Sequence, residues 1–284
     1  MDRRSFITGI AASGLSLPVI LASCGSRAEM SSGSTVPPAT MPVPSTIAVP
    51  TGTDEFVVRV SYAGGLVANN YNVMRTPSVL ITADGRAITP GAVPAVYPGP
   101  LLPAFRERTI TAEGIQAVVV AAQQAQLLGP IPNYEVDPFV MDAADTVVEI
   151  HAMGKVFTHV AYALDMPMPA DTVESEARKR LRAFVQSLTD IATLAGAGQV
   201  GPDGPLKARA YRVQANPANP ADYGDPKPSV APWPAGTGVV LAQASTCVEA
   251  PAEKVEALLE ASNQLSMFTE GGVTYILLAA PVLP

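Results

Sequence analysis

Short apolar segments of this chain alternate with longer segments in which apolar residues recur at helical spacing. Residues 56–62 are rich in β-branched and aromatic side chains, a composition that favours a strand. Residues 78–82 and 86–89 flank Asp84-Gly85, a dipeptide typical of a two-residue hairpin turn. We therefore predict one strand followed by a hairpin.

A second hairpin is predicted from residues 146–150 and 156–163, which flank the turn dipeptide Met153-Gly154. With this turn, His151 and His159 lie on opposite faces, because successive side chains of a strand alternate. If the turn shifts by one residue, the two histidines share a face but lie about 13 Å apart, too far for one metal ion. We therefore expect His159 to be a core residue.

The helical spacing predicts three helices. The first begins after Thr111, a typical N-cap residue, and ends at Gly129-Pro130. The second covers about residues 172–194, and the third covers about 252–262. The apolar face of the second helix contains Ala177, Leu181, Phe184, Val185, Leu188 and Ile191.

The remainder of the C-terminal third has a weaker pattern. Residues 208–213, 239–244 and 273–278 are strand-like in composition. Residues 196–236 are rich in proline and are expected to form a long surface loop.

The order of these elements predicts the fold class. Helices that each follow a hairpin indicate an α+β fold, in which a largely antiparallel sheet built from strand-strand-helix units carries its helices on one face. We assign residues 54–284 to a single domain, with a division near 130–140 as the alternative. Residues 24–53, mostly Ser, Thr, Pro and Gly after the cysteine, bury too little apolar surface to fold and are predicted to form a tether.

The first 23 residues resemble a twin-arginine export signal. Arg3 and Arg4 form the arginine pair, Phe6 is one of the apolar residues that follow it, and no charge occurs from there to residue 23. Residues 21–24, Leu-Ala-Ser-Cys, resemble a bacterial lipobox, which implies lipidation of Cys24 and cleavage before it. The alternatives are an ordinary secretory signal with an incidental cysteine, an uncleaved anchor, and use of the general secretory route.

The net charge and the cysteine content limit the expected binding partners and disulfide bonds. The formal net charge is −7, so the basic surface that drives binding to nucleic acid is missing and the link to the membrane must be the lipid. The chain has two cysteines, Cys24 and Cys247. If Cys24 is acylated, no intramolecular disulfide forms, and Cys247 is then expected to be a buried small apolar residue.

The sequence offers few candidates for catalysis. Asp137, Asp142 and Asp145 precede the second hairpin, but their spacing matches no calcium loop, and we expect Asp142 and Asp145 to hydrogen-bond local amides in a turn. The patterns G-x-S-x-G, S-x-x-K and H-E-x-x-H do not occur. We therefore assign no catalytic residue, no cofactor and no metal ligand.

Two apolar features are candidates for binding. The extended run from Tyr97 to Phe105 places Leu101 and other large side chains among prolines, and Trp233 lies between two prolines. We predict a binding surface that contains Tyr97, Leu101, Phe105 and Trp233. The alternative is that these side chains fold back and cover the sheet.

Several segments of residues 54–284 are similar to those of a known family. They are Val58-Arg59-Val60, Gly64-Gly65, Arg75-Thr76-Pro77, Asp84-Gly85, Tyr97-Pro98-Gly99-Pro100, Leu127-Leu128-Gly129-Pro130, Asp142, Asp145-Thr146-Val147-Val148, Leu188-Thr189-Asp190, Trp233-Pro234 and Cys247. In these residues the chain resembles a family of uncharacterised exported proteins and lipoproteins that is common in actinobacteria. Family members tend to have Asp-Gly where this chain has Met153-Gly154. The resemblance implies no catalytic residues and no established activity.

Together these features predict an envelope lipoprotein, held by its N-terminal lipid on the outer face of the cytoplasmic membrane. Its domain is expected to bind an envelope protein or a small ligand, and not nucleic acid. One alternative is an extracytoplasmic hydrolase that uses the acidic cluster with His151 or His159, which requires Asp142, Asp145 and a histidine to converge in one pocket. Another alternative is a structural or assembly factor of the envelope.

Overall fold

Two β-sheets form the framework of the protein in a computed structural model that describes residues 46–65, 75–136, 141–169 and 173–284. The first sheet has seven strands, paired antiparallel throughout, in the order β6-β5-β1-β2-β3-β4-β7. Its strands are β1 (Phe56–Gly64), β2 (Val79–Thr82), β3 (Arg86–Pro90), β4 (Phe105–Thr109), β5 (Ala144–Ala152), β6 (Lys155–Tyr162) and β7 (Gly204–Pro205).

Both predicted hairpins are present, with one difference in loop length. In the β5–β6 hairpin Ala152 pairs with Lys155, and Met153-Gly154 forms the predicted two-residue turn. In the β2–β3 hairpin Leu80 pairs with Ile88, so the loop contains residues 83–85 and is one residue longer than predicted. Gly85 has a φ of +85°, which matches a three-residue loop that ends in a left-handed residue.

Helices α1 (Ala112–Gln124), α2 (Glu176–Ser187) and α3 (Ile191–Ala195) pack against one face of the first sheet. The main core lies between them. Thr111 caps α1 as predicted, by accepting a hydrogen bond from the Gly114 amide at 3.1 Å. The buried core residues include Val58, Val60, Val118, Val148, Ile150, Leu181 and Phe184.

The bounds of two predicted helices are wrong. Helix α1 ends at Gln124 and not at Gly129-Pro130, because Gln126 adopts a φ of +62° and the Leu127 amide bonds the Ala122 carbonyl. This C-terminal motif turns the chain so that Leu127 is buried. The predicted continuous helix over 172–194 begins later, at Glu176 after the N-cap Ser175, and is interrupted because residues Leu188–Asp190 form a 3-10 turn. The side chain of Asp190 then caps α3 by accepting from the Thr193 amide.

The second sheet has five strands in the order β10-β8-β12-β11-β9, in which only the β11–β9 pair is parallel. Helix α4 (Ala252–Glu260) packs on this sheet, and its core includes Val213, Val255, Leu259 and Leu277. The strands are β8 (Ala210–Pro217), β9 (Ser229–Pro232), β10 (Val248–Pro251), β11 (Ser266–Glu270) and β12 (Val273–Pro281).

The structure confirms the α+β class and corrects parts of the C-terminal prediction. Residues 239–244 do not form a strand, since Leu241–Gln243 is a 3-10 turn with Leu241 buried. Residues 196–236 are not a single surface loop, because they contribute strands to both sheets. The prolines within these strands, Pro205, Pro217 and Pro232, are each the last residue of a strand, where a missing amide donor is tolerated.

Residues that precede the predicted domain boundary at residue 54 belong to the folded domain. Ile47 is buried in the main core. The side-chain amide of Gln116 accepts from the Ile47 amide at 3.0 Å and donates to the Ile47 carbonyl at 2.8 Å. The Met153 amide also donates to the Ala48 carbonyl. The last residues of the predicted tether are therefore anchored to the domain.

Candidate functional site

A groove of about 770 Å³ lies where the two sheets approach each other, and we call it the junction groove. The first sheet contributes the end of β3, the start of β4 and β7. The second sheet contributes residues of β8 and β12, and helix α4, which packs on it, contributes Glu260. Its lining residues are Pro90, Gly91, Ala92, Pro100, Leu102, Pro103, Ala104, Phe105, Arg106, Asp203, Pro205, Leu206, Tyr211, Glu260 and Pro281.

One wall of the junction groove is the proline-rich run that precedes β4. Main-chain hydrogen bonds fix this run to the loop after α4: the Leu101 amide donates to the Ser262 carbonyl, and the Gln264 amide donates to the Gly99 carbonyl. The Gly91 amide also donates to the Ala104 carbonyl. Because prolines restrict the backbone as well, this apolar wall is held in one conformation before any ligand arrives.

The polar groups of the junction groove are few. Arg106 Nε lies 2.8 Å from Asp203 Oδ2, so the cation that lines the groove is already compensated. Glu260 adds a negative charge at the exposed end of α4. Burial and the hydrogen bond to Glu256 raise the pKa of Tyr211, whose hydroxyl therefore remains protonated and donates at 2.8 Å. Most of the side chains that line the groove are thus apolar, and its charged residues, Arg106, Asp203 and Glu260, carry one net negative charge.

The four residues of the predicted binding surface occupy different environments. Phe105 lines the groove but is largely buried against Leu80 and Ile88. Leu101 packs against the core of the second sheet, next to the groove-lining Leu102. Tyr97 is 68% exposed and does not line the groove.

Trp233 belongs to the core of the second sheet and is not part of an accessible surface. Its ring packs edge-on against Phe268, with 5.2 Å between the ring centroids. Its Nε1 donates to the Val239 carbonyl at 2.9 Å. For this residue the structure therefore follows the alternative expectation, in which the aromatic side chain covers the sheet, and its inclusion in the binding surface is corrected.

His159 is a fully buried residue of the main core, as the hairpin register predicts. Tyr134 donates its hydroxyl proton to Nδ1 at 2.7 Å, and Nε2 donates to the Leu127 carbonyl at 2.9 Å. Burial lowers the pKa of His159, which favours the neutral ring that this arrangement requires. Both ring nitrogens are occupied, so His159 is not available as a base or a ligand.

The acidic cluster does not meet a histidine in a cavity. Asp137 lies outside the described residues. Asp142 is exposed with a φ of +59°, and within the described part of the chain neither it nor Asp145 accepts the expected hydrogen bond from a local amide. His151 contacts the ring of Phe56 on the other face from His159. None of these described residues lines the junction groove or the cavities near residues 123–134, 165–186 and 206–210.

Cys247 is partly exposed and not buried as expected, because it lies in a turn with a φ of +76°. Burial of the thiol nevertheless raises its pKa, against the opposing effect of Arg212, so the thiolate is not favoured. Among the described residues, no group of three or more His, Cys, Asp or Glu side chains is arranged to hold a metal ion.

A buried charged cluster at the N-terminal end of α2 was not predicted from the sequence. Arg178 is fully buried, and its guanidinium donates to the carbonyls of Tyr134 and Tyr162 and lies 3.4 Å from Glu174. Arg182 also pairs with Glu174. The burial of Arg178 could have been predicted from its position, because it lies three residues before Leu181 and therefore on the same, buried face of the helix. This cluster connects α2 to the end of β6 and to the segment around Tyr134, and Glu174 and Arg182 also line the cavity near residues 165–186.

The export and lipidation residues, Arg3, Arg4, Phe6 and Cys24, lie outside the described residues. None of the helices in the described ranges combines the length and apolar character that a membrane span requires. No family model, curated protein or solved structure matches the chain.

Proposed function

We propose that this protein is a lipid-anchored envelope lipoprotein whose domain binds an apolar ligand in the junction groove. The observation that carries the binding role is the groove itself, an apolar cleft with a rigid wall at the meeting of two sheets. Its volume is in the range of ligand-binding clefts in proteins. Signal and lipobox residues, from Arg3 to Cys24, support the location in the envelope.

The charges of the groove indicate the class of ligand. Arg106 is neutralised by Asp203, whereas Glu260 has no cation among the groove-lining residues. An anionic ligand therefore finds no free cation there. The groove favours an uncharged or cationic ligand whose apolar part lies against Leu102, Pro103 and Phe105.

The hydrolase alternative has less support. Asp142, Asp145 and a histidine do not converge on a described cavity, and His159 uses both ring nitrogens in the core. The hydroxyl that lines the junction groove is that of Tyr211, which donates to Glu256 and has a raised pKa, so it is not activated as a nucleophile. A domain surface without a cleft favours a purely structural role. The junction groove is a cleft and therefore counts against that role.

Filling the groove tests the proposal. We expect Ala104→Trp to occupy the groove, whereas Ala257→Trp, on the exposed face of α4, is a matched control. Wild-type protein and both variants are purified from native membranes, and the molecules that co-purify are identified by native mass spectrometry. We expect at least one molecule to be present with wild type and Ala257→Trp and reduced about tenfold with Ala104→Trp. An identical or empty set in all three preparations contradicts the proposal.

A further inference from the structure

Strand β6 forms an open edge of the first sheet. The Ala163 amide bonds the Ala144 carbonyl, and the β5–β6 register continues from this pair through His159–Val148 to Lys155–Ala152. Because hydrogen-bonded pairs alternate in an antiparallel ladder, the odd-numbered residues of β6 bond β5. The amides and carbonyls of residues 156, 158 and 160 point away from the sheet, and no described residue bonds them there.

The other three sheet edges are protected, whereas no described residue covers the edge at β6. Strand β7 has two residues and ends in Pro205, β9 ends in Pro232, and β10 contains Glu249 and ends in a proline. Short strands, prolines and charges are the usual means of preventing edge pairing. In contrast, β6 has eight residues, contains no proline, and is uncharged from Val156 to Tyr162 when His159 is neutral.

The exposed side chains of β6 are symmetric about Thr158. Val156 and Val160 are 44% and 48% exposed, while the alternate residues of the strand are buried under the helices. A two-fold axis through Thr158 pairs β6 antiparallel with a second β6. Each Val156 then lies opposite Val160 of the other copy, and the two threonines lie opposite each other. Pairs of β-branched residues and of threonines stabilise neighbouring strands.

We propose that β6 is a self-association site, at which a second copy of this chain continues the first sheet through Thr158. The pairing joins two seven-stranded sheets into one and satisfies the free main-chain groups of residues 156, 158 and 160. An unrelated extended peptide also bonds an open edge, but a second β6 always supplies the matching Val-x-Thr-x-Val alternation in the antiparallel direction. This inference is independent of the junction groove.

Disulfide cross-linking tests the register directly. In a hydrogen-bonded antiparallel pair the opposed Cα atoms are about 5.5 Å apart, within the range that a disulfide bridges. We expect Thr158→Cys, in the full chain with Cys247→Ala, to give mainly cross-linked dimer when its native membranes are oxidised. The matched control is Val230→Cys on the edge strand β9, where we expect less than about a tenth as much dimer. Equal cross-linking of the two variants, or none for Thr158→Cys, overturns the proposal.

Opposite charges introduced at Thr158 provide a second test, which also shows whether the variants fold. Full-length copies with two different tags are co-expressed, solubilised and captured through one tag. We expect wild-type copies to co-purify, and Thr158→Lys or Thr158→Glu expressed alone to reduce capture about tenfold, because like charges are then opposed. Co-expression of the Lys and Glu variants is expected to restore capture, which a misfolded variant cannot do. Capture that Thr158→Lys leaves unchanged, or that the mixture fails to restore, overturns the proposal.

Discussion

At the scale of single residues, burial separates ion pairs that contribute to stability from those that do not. Arg178, on the buried side of α2, pairs with Glu174, which precedes the helix, whereas Glu176 and Lys179 are i,i+3 partners on its exposed side. The exposed fraction is 0% for the Arg178 side chain and 52% for that of Lys179. Salt and water screen only the second pair effectively.

Arg178→Ala is therefore expected to lower the free energy of unfolding by about 3–5 kcal/mol, because the Tyr134 and Tyr162 carbonyls lose their donor and a buried charge pair is broken. Lys179→Ala, the control on the same helix, is expected to leave it almost unchanged. Urea unfolding measures both. Similar losses for the two variants contradict the assigned roles.

His159 is expected to make stability depend on pH. Burial lowers its pKa in the folded state below the ordinary value of 6.5, so the unfolded chain binds the proton more readily. The contribution of His159 to the free energy of unfolding is present above about pH 6.5 and is lost as the pH falls through and below that value. Thermal unfolding at several pH values measures the slope.

A matched pair of variants assigns this slope to the buried ring. His159→Gln is expected to remove the part of the pH dependence that comes from His159, whereas His151→Gln is expected to retain that part. The opposite pattern, or a slope unaffected by His159→Gln, contradicts the buried neutral histidine.

At the scale of elements, turn chemistry determined what the sequence predicts well. Asp84-Gly85 and Met153-Gly154 locate two hairpins, and Thr111 locates a helix start, because each signal acts through its own backbone. The end of α1 was missed because Gln126, a residue that rarely adopts positive φ, forms its C-terminal motif. The break in the second helix was missed because Asp190 acts as a cap within an otherwise helical pattern.

The β5–β6 turn gives a prediction at this scale. Met153 has a φ of +53° and Gly154 one of +73°, the backbone of a turn in which asparagine is preferred at the first position. Met153→Asn is expected to raise the free energy of unfolding by about 0.5–1 kcal/mol, because the Met153 side chain is half exposed and little packing is lost. Chemical denaturation measures the change. Destabilisation contradicts this interpretation of the turn.

At the scale of the whole molecule, the pairing of strands from distant parts of the chain could not be predicted from the sequence. The α+β class follows from the order of local elements, but the division into two sheets depends on partners such as Ser229 and Ser266, which are far apart in the chain. The junction groove likewise joins Pro90, Phe105, Pro205 and Glu260 from four separate segments. The proline-rich wall was identified from its composition, whereas its position between two sheets was not.

The anchor gives a prediction for the whole molecule as well. Cys24→Ala is expected to shift the protein from the membrane to the soluble fraction and to abolish labelling with fatty acid, because no other residue is proposed to carry the lipid. Cys247→Ala, the control at the other cysteine, is expected to change neither result. Fractionation of native cells measures both, and membrane retention of Cys24→Ala counts against the lipid anchor.

The proposed location and role in the envelope depend most on the chemical state of residue 24. Mass spectrometry of the N-terminal peptide, prepared from protein in its native cells, measures that state directly. We expect a chain that begins at Cys24 and carries a diacylglyceryl group on Sγ. A chain that retains residues 1–23 and has an unmodified Cys24 thiol would contradict the account.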